Sequence, residues 1–293
     1  MNNYLTLTVV AQMTANYGEG LGNISSVQKV FRNGRVYAVR SRESLKNALM
    51  VQSGFYDDLV VSVDGATQKD VNDQMNASNC RALEGGYMNT TGITNIRNSS
   101  FYLTDAVACQ EFVNETRFHN NLYMASTFAR QEGLNLQEKA GECGLMPYQY
   151  EYDKSLKQYS ITIDLTMIGK DDNFGQEATN EEKANRVVAL LEAVANLNLV
   201  VKGNLDNAEP ILIVGGLSPR KTHYFENVVQ VKQGKLTITS DLEDRLAQDH
   251  FAIGLLEGDN FANEAEIIKR LKPSSVTTFF NDLKKQVQDY YGV

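Results

Sequence analysis

Two segments constrain the fold more than any others. In residues 4–13, Leu5, Leu7, Val9, Ala11 and Met13 alternate with Tyr4, Thr6, Thr8 and Gln12, the period-2 pattern of a strand with one buried face. The pattern returns at Tyr159-Ser160-Ile161-Thr162-Ile163-Asp164-Leu165-Thr166-Met167-Ile168 and stops at Gly169. Pro210-Ile211-Leu212-Ile213-Val214 reads as an interior strand, broken by Gly215-Gly216 and followed by a loop from Leu217 to His223. Helices fill the gaps. Ser41 caps one with Leu45, Ala48 and Leu49 on one stripe, and Thr179 with Glu182 forms a capping box ahead of Ala184, Val187, Val188, Leu191, Val194 and Ala195. Ser240 with Glu243 forms another box, and beyond Pro273 a last helix carries Val276, Phe279, Phe280, Leu283 and Val287. The order strand, helix, long insertion, strand, helix, strands, helices predicts an α+β fold. Its centre is an antiparallel, ferredoxin-like sheet with helices on one face and the other face free, the face that RNA-recognition modules use.

The chain of 293 residues is long enough for one large domain or two. Leu59–Val63 reads as a short strand, and from Asp64 to Gly144 the sequence is rich in Asn, Gly, Ser and Thr without a clean period. Residues 64–150 therefore read as an insertion carried by a main unit of 1–63 and 151–293. Tyr224–Val231 and Lys235–Thr239 read as a hairpin turning at Gln233-Gly234.

Charge is unevenly distributed. The net charge is −8, yet residues 29–46 carry six bases and one acid, and residues 241–266 carry eight acids and one base. A glycine-containing polar loop at 16–23 followed by the basic segment Lys29, Arg32, Arg35, Arg40, Arg42 and Lys46 forms a surface suited to a polyanion. The alternative for such runs is a set of solvated faces. No apolar run approaches ~18 residues, and no charged-then-apolar leader opens the chain. A cytoplasmic protein with no membrane partner is expected. The cysteines Cys80, Cys109 and Cys143 are widely spaced, as in free thiols of a reducing compartment.

Motifs of catalysis are missing. Gly18-x-Gly20-x-Gly22 follows a strand but lacks the dinucleotide-site spacing and any helix beginning on it. No phosphate-binding loop and no G-x-S-x-G occurs, and His119, His223 and His250 lack metal spacing. Asp57-Asp58 and Asp171-Asp172 read as ordinary turn residues. No catalytic residue, metal or cofactor is expected.

The opening block resembles that of CRISPR-associated Cascade backbone subunits, in particular the DevR-type branch of type I-B systems. The carrying residues are the strand Leu5–Met13, the loop Asn16–Asn23, the basic segment Lys29–Arg40 and the serine-capped helix Ser41-Arg42-Glu43-Ser44-Leu45-Lys46-Asn47-Ala48-Leu49. A second match is Arg97-Asn98-Ser99-Ser100-Phe101 followed by Thr104-Asp105-Ala106, with Ser100 where the family often has proline. A third is Tyr159–Gly169, the helix Glu181–Leu197, and Gly215-Gly216 after a strand. The resemblance spans residues 3 to 240.

This resemblance implies a modified RNA-recognition sheet with an inserted helical region and a thumb-like hairpin, placed here around 200–235. It implies copies stacked head to tail along the spacer of a CRISPR RNA, in contact with other Cascade subunits, holding the guide for pairing with target DNA. The implied RNA-binding residues are Asn16, Tyr17, Asn23, Lys29, Arg32, Arg35, Arg40, Ser41, Arg42, Ser44, Lys46, Arg97, Ser99, Gly215, Gly216, Arg220 and Lys221. Related subunits of type III complexes cut RNA with a loop aspartate. Between Asn16 and Arg40 this chain has no Asp and only Glu19 as an acid, which favours binding without cleavage. An RNA-cutting subunit and an unrelated α+β binding protein are the alternatives.

Overall fold

The computed structural model describes residues 2–17, 24–201, 203–248 and 250–293. Its main sheet has nine strands: β1 (Tyr4–Thr14), β2 (Lys29–Arg32), β3 (Arg35–Arg40), β4 (Phe101–Leu103), β5 (Ala106–Ala108), β6 (Lys154–Asp164), β7 (Pro210–Ser218), β8 (Phe251–Leu255) and β9 (Ser274–Ser275). Across the sheet they run β9-β8-β7-β1-β6-β5-β3-β2, with β4 also paired to β6. Pairing is antiparallel except between β8 and β9. Six helices are found among the described residues: α1 (Arg42–Gln52), α2 (Leu122–Gln131), α3 (Asn180–Ala195), α4 (Ser240–Leu246), α5 (Glu264–Leu271) and α6 (Val276–Tyr291).

β1 lies at the centre, paired with β6 from Tyr4↔Asp164 to Thr14↔Lys154 and with β7 on its other edge. The alternating residues Leu5, Leu7, Val9, Ala11, Met13, Tyr159, Ile161 and Ile163 are all buried in one core. α1, α3 and α6 close that core with Leu45, Leu49, Val187, Leu190, Leu191, Val194, Phe280 and Val287. Each such side chain contributes about 1.5–3 kcal/mol on burial. The caps follow the local chemistry: Ser41 Oγ accepts from Ser44 N at 3.3 Å, and Thr179 Oγ1 accepts from Glu182 N at 3.2 Å. At α4 the cap falls one residue earlier than expected, on Thr239, whose hydroxyl accepts from Leu242 N at 3.3 Å.

β1, α1, the β4–β5 segment, β6, α3 and β7 succeed one another as a split βαβ unit, with β6 between β1 and β5 and β1 between β6 and β7. Residues 101–108 thus lie in the sheet itself, and the polar stretch 64–150 falls into two excursions on either side of them. Each of these strands is three residues long, too short for a period to show.

The opposite sheet face is covered over β1, β7 and β8, where a free face was expected. Val10, Leu212, Val214 and Ile253 pack there against Phe225, Val229, Leu236, Leu242, Phe261 and Ile267. β7 is apolar on both faces, so both must be covered. Thr8 and Ser160 meet beneath this layer, Oγ1 to Oγ at 2.7 Å.

Gly215 and Gly216 do not end the strand. β7 runs through both to Ser218, with Gly215 opposite Leu7 and Ala252, and Gly216 opposite Thr6 and Phe251. Their φ angles of 153° and 155° suit glycine, and an added Cβ would lie 1.9 Å from Thr6 O or 2.0 Å from His250 O. Glycine is needed here for close strand approach. Gly215→Ala should therefore destabilise the chain by about 3 kcal/mol or more, read from urea unfolding. An unchanged midpoint would contradict the close pairing of β7 with β1.

Candidate nucleic-acid interface

The part of the sheet left uncovered lies over β5 and β6. There a groove of about 740 Å³ runs between the β2–β3 hairpin and residues 223–232. Its floor includes Val107, Ala108 and Gln158; its cations are Arg32, Arg42 and Lys232, set against Asp105 and Glu226. Arg42 opens α1, and its backbone N–H donates to Asp105 Oδ1 at 2.9 Å, which ties the helix start to the turn between β4 and β5. Its exposed guanidinium reaches Glu43 Oε1 at 2.7 Å, an exposed pairing that a phosphate can displace at little cost. His223 enters the groove with Nδ1 2.9 Å from Thr162 Oγ1, and burial pushes its pKa below the usual imidazole range.

A second cavity of about 290 Å³ shares Arg42 and adds Lys46, Ser99 and Tyr102. Lys46 lies one helical turn beyond Arg42. Its Nζ donates to Gly85 O at 2.8 Å and Ser99 Oγ at 3.0 Å and stands 5.0 Å from the Phe101 ring centre. Burial, aided by the charge of Lys69, lowers the Lys46 pKa to about 8. Lys221 approaches Tyr102 as well, 4.9 Å from its ring centre, while bonding Asp164 Oδ2 at 2.9 Å. Groove and cavity together present Lys232, Arg32, Arg42 and Lys46 around polar and aromatic surface, with Glu43 beside Arg42 and Lys46 in the cavity.

The other residues expected at the site take different places. Arg40 is buried: Nε donates to Thr14 O at 2.9 Å, one terminal nitrogen to Ser44 Oγ at 2.8 Å, and the other to Thr14 Oγ1 at 3.1 Å and Ala15 O at 3.3 Å. Burial lowers its pKa to about 10 against the opposing charge of Asp206. Arg97 is likewise buried, donating to Lys170 O, Leu83 O and Met167 O and pairing with Glu84 at 3.0 Å. Arg40 turns inward to the carbonyls at the end of β1, and Arg97 to those of Leu83 and of the turn after β6, groups that need donors.

Asn16 Oδ1 accepts from Ser41 N at 2.8 Å, so it orders the entry to α1. Tyr17 meets Tyr150 edge-on at 5.9 Å, and burial raises its pKa to about 12. Lys29 pairs with Glu151 and lies 4.7 Å from the Phe112 ring centre; Arg35 faces Glu111 at 3.9 Å. Arg220 is exposed, 5.3 Å from the Tyr224 ring centre. Gly215 and Gly216 lie inside the sheet, and Asn23 falls outside the described residues. Tyr102, His223 and Gln158 were not among the expected RNA-binding residues; the alternation along β6 is the signal that places Gln158 on the uncovered face.

Among the described residues no group of three or more His, Cys, Asp or Glu is placed to hold a metal ion, and no helix is long and apolar enough to cross a membrane. The three cysteines are unpaired.

Strand order and groove define an α+β protein of the split βαβ class with a cationic cleft beside its sheet. Residues 84–235, just over half of the chain, match the family described as CRISPR-associated negative auto-regulator DevR/Csa2, and the chain belongs to that family. The match begins after the opening block on which the resemblance was first drawn. The chain is similar in fold to a chain of a "CRISPR RNA-guided surveillance complex, pre-nicking", with a TM-score of 0.62 and 9% identity over 97% of this chain and 100% of that one. A chain of a second "CRISPR RNA-guided surveillance complex" superposes with a TM-score of 0.54 and 11% identity over 95% and 99% of the two chains. No curated protein matches the sequence.

The geometry separates two neighbouring arginines. Arg40→Ala should cost about 3 kcal/mol of stability by leaving buried carbonyls unpaired, whereas Arg42→Ala should leave the urea midpoint unchanged. Equal midpoints for the two variants would remove the inward role of Arg40.

Proposed function

We propose that this chain is a non-catalytic backbone subunit of a type I CRISPR RNA-guided surveillance complex, of the I-B branch, working in the cytoplasm. It grips the sugar–phosphate backbone of the guide and leaves the bases to pair with target DNA. The observation that carries this reading is the row of cations Arg32, Arg42, Lys46 and Lys232 along one groove and its neighbouring cavity. These groups meet phosphate without base-edge chemistry, which suits a subunit that must accept any spacer.

The hairpin Val231–Lys232 with Lys235–Leu236 borders the groove through Lys232 and takes the thumb-like part of the proposal. Head-to-tail contacts join two different surfaces and generate open arrays. The lobe at 115–148 offers one of them, with Phe118, Tyr123, Met124 and Met146 each more than half exposed. Neighbouring copies and other Cascade subunits are the partners of such a surface. Binding without cleavage fits the loop between Asn16 and Arg40, which holds no aspartate.

The purified chain should carry small RNA, seen as a raised ratio of absorbance at 260 and 280 nm. Arg42→Ala should weaken binding of all guide sequences alike and lower the slope of log K against log salt by about 0.7–1. A shift in sequence preference would argue against a backbone grip. Light scattering should show assemblies of defined length with guide and none without it; a symmetric dimer in both conditions would exclude stacking. Labelled target RNA should stay intact in the assembled complex.

Affinity should also depend on pH through Lys46. Its charged form is the one that meets phosphate, and it loses its proton near the pKa of about 8. Binding therefore weakens from about pH 7 to about pH 9, and Lys46→Arg, charged throughout, flattens the profile. An identical pH profile for both proteins would take Lys46 out of the site.

A further inference from the structure

The strands Glu115–His119 and Tyr148–Tyr152 form a ribbon beyond the main sheet, paired antiparallel with Glu115 opposite Tyr152, Arg117 opposite Tyr150, and His119 opposite Tyr148. Alternation puts these six residues on one face and Phe118 on the other. On that face the His119 ring is stacked on Tyr148 at 5.5 Å and on Tyr150 at 5.0 Å, with interplanar angles of 17° and 15°. The Arg117 guanidinium lies 3.4 Å from the Tyr152 ring centre. At the outer end Tyr148 is 49% exposed, and His119 is exposed beside it. At the inner end the face opens on a cavity of about 230 Å³ bordered by Tyr17, Arg117, Tyr150, Tyr152, Lys154 and Asp206.

We propose that this face is a stacking ladder for unpaired nucleobases of single-stranded nucleic acid, a second contact beyond the cationic groove. Every base has a π-face, so a ladder of aromatic rings and a guanidinium holds a strand without reading its sequence. Charge on the face is nearly balanced. Arg117 stands 3.6 Å from Glu115 Oε1, and Lys154 bonds Asp206 Oδ1 at 2.8 Å, where Asp206 is itself fixed by Thr14 N at 2.7 Å. Stacking, not ion release, therefore supplies the affinity, and the contribution of the ladder should survive salt that weakens the groove. A purely structural role, cross-strand packing of a ribbon, needs rings at the buried positions but not at the exposed Tyr148 and His119. The proposal rests on the guide-holding reading only in sharing a strand with it.

The test uses the full chain and short oligonucleotides carrying one 2-aminopurine, whose fluorescence falls when the base stacks. The same sequence is made as RNA and as DNA. With the wild-type chain, quenching should persist at raised salt; quenching by RNA alone assigns the ladder to the guide, and quenching by DNA assigns it to a DNA strand. His119→Ala with Tyr148→Ala should keep the urea midpoint, lose the quenching and weaken binding about five- to a hundredfold, the range of one base–aromatic stack. Tyr148→Phe keeps the ring and should retain both. Equal quenching and affinity in the double-alanine variant would overturn the ladder while leaving the groove reading intact. If the wild-type chain binds neither oligonucleotide, both readings fall.

Discussion

The carboxylate of Glu84 is the interaction on which the arrangement of the site depends. It is fully buried in a short 3-10 turn, Arg81–Gly85, and every lone-pair direction is used. Oε1 accepts from Arg186 at 2.8 Å and from Gly169 N at 2.6 Å; Oε2 accepts from Arg97 at 3.0 Å and from Ser100 Oγ at 2.5 Å. Glu182 supplies the second negative charge, bonding Arg186 Nε at 2.8 Å and Arg81 at 2.9 Å. A buried ionic cluster gains little over an apolar one of the same volume, because desolvation offsets attraction, yet removing one member costs about 3–5 kcal/mol. Its effect is to select one arrangement.

That arrangement decides where the candidate site forms. The cluster joins the first excursion, the turn after β6, and the buried side of α3. Ser100 immediately precedes β4 and Arg97 ends the short strand Asn95–Arg97 ahead of it, so the cluster delivers β4 to the edge of β6 and sets Ser99 beneath Lys46. Lys46 and Arg42 belong to α1, whose start is held by Asp105 just before β5. The cavity at Lys46 is therefore built from α1 on one side and from Ser99 and β4 on the other. Its geometry follows from the buried carboxylate, and not from any loop local to the cations.

The regular half of the fold was legible in the sequence, and the reason is physical. Periodicity reports burial averaged over several residues, so the eleven-residue strand β1 and the sixteen-residue helix α3 stand out, whereas β6 was expected at 159–168 and runs over Lys154–Asp164, because the alternation continues into the turn beyond it. β4 and β5, at three residues each, carry too few repeats. Gly215 and Gly216 misled because glycine marks both chain reversal and close backbone approach, and only the neighbouring strands distinguish the two. The arginines were legible as charge but not as direction. Arg42 and Arg40 are two residues apart; one opens a helix in solvent, whereas the other ends a strand and turns in to the carbonyls of Thr14 and Ala15.

An acidic chain with a cationic groove is not a contradiction once charge is placed on the topology. The bases of β2 and β3 occupy one end of the strand order, and the acid-rich stretch 241–266 belongs to α4, β8 and the start of α5 at the other end. Several of those acids are engaged within that region. Arg270 bonds Glu243 at 2.9 Å and Glu266 at 3.1 Å, and Glu264 accepts backbone N–H groups of Gly258, Asp259 and Asn260 between 3.0 and 3.1 Å. At physiological salt a charge is screened beyond about 8 Å. The local potential over the groove and cavity is therefore set by Arg32, Arg42, Lys46 and Lys232 against Glu43, Asp105 and Glu226, not by the net charge of −8.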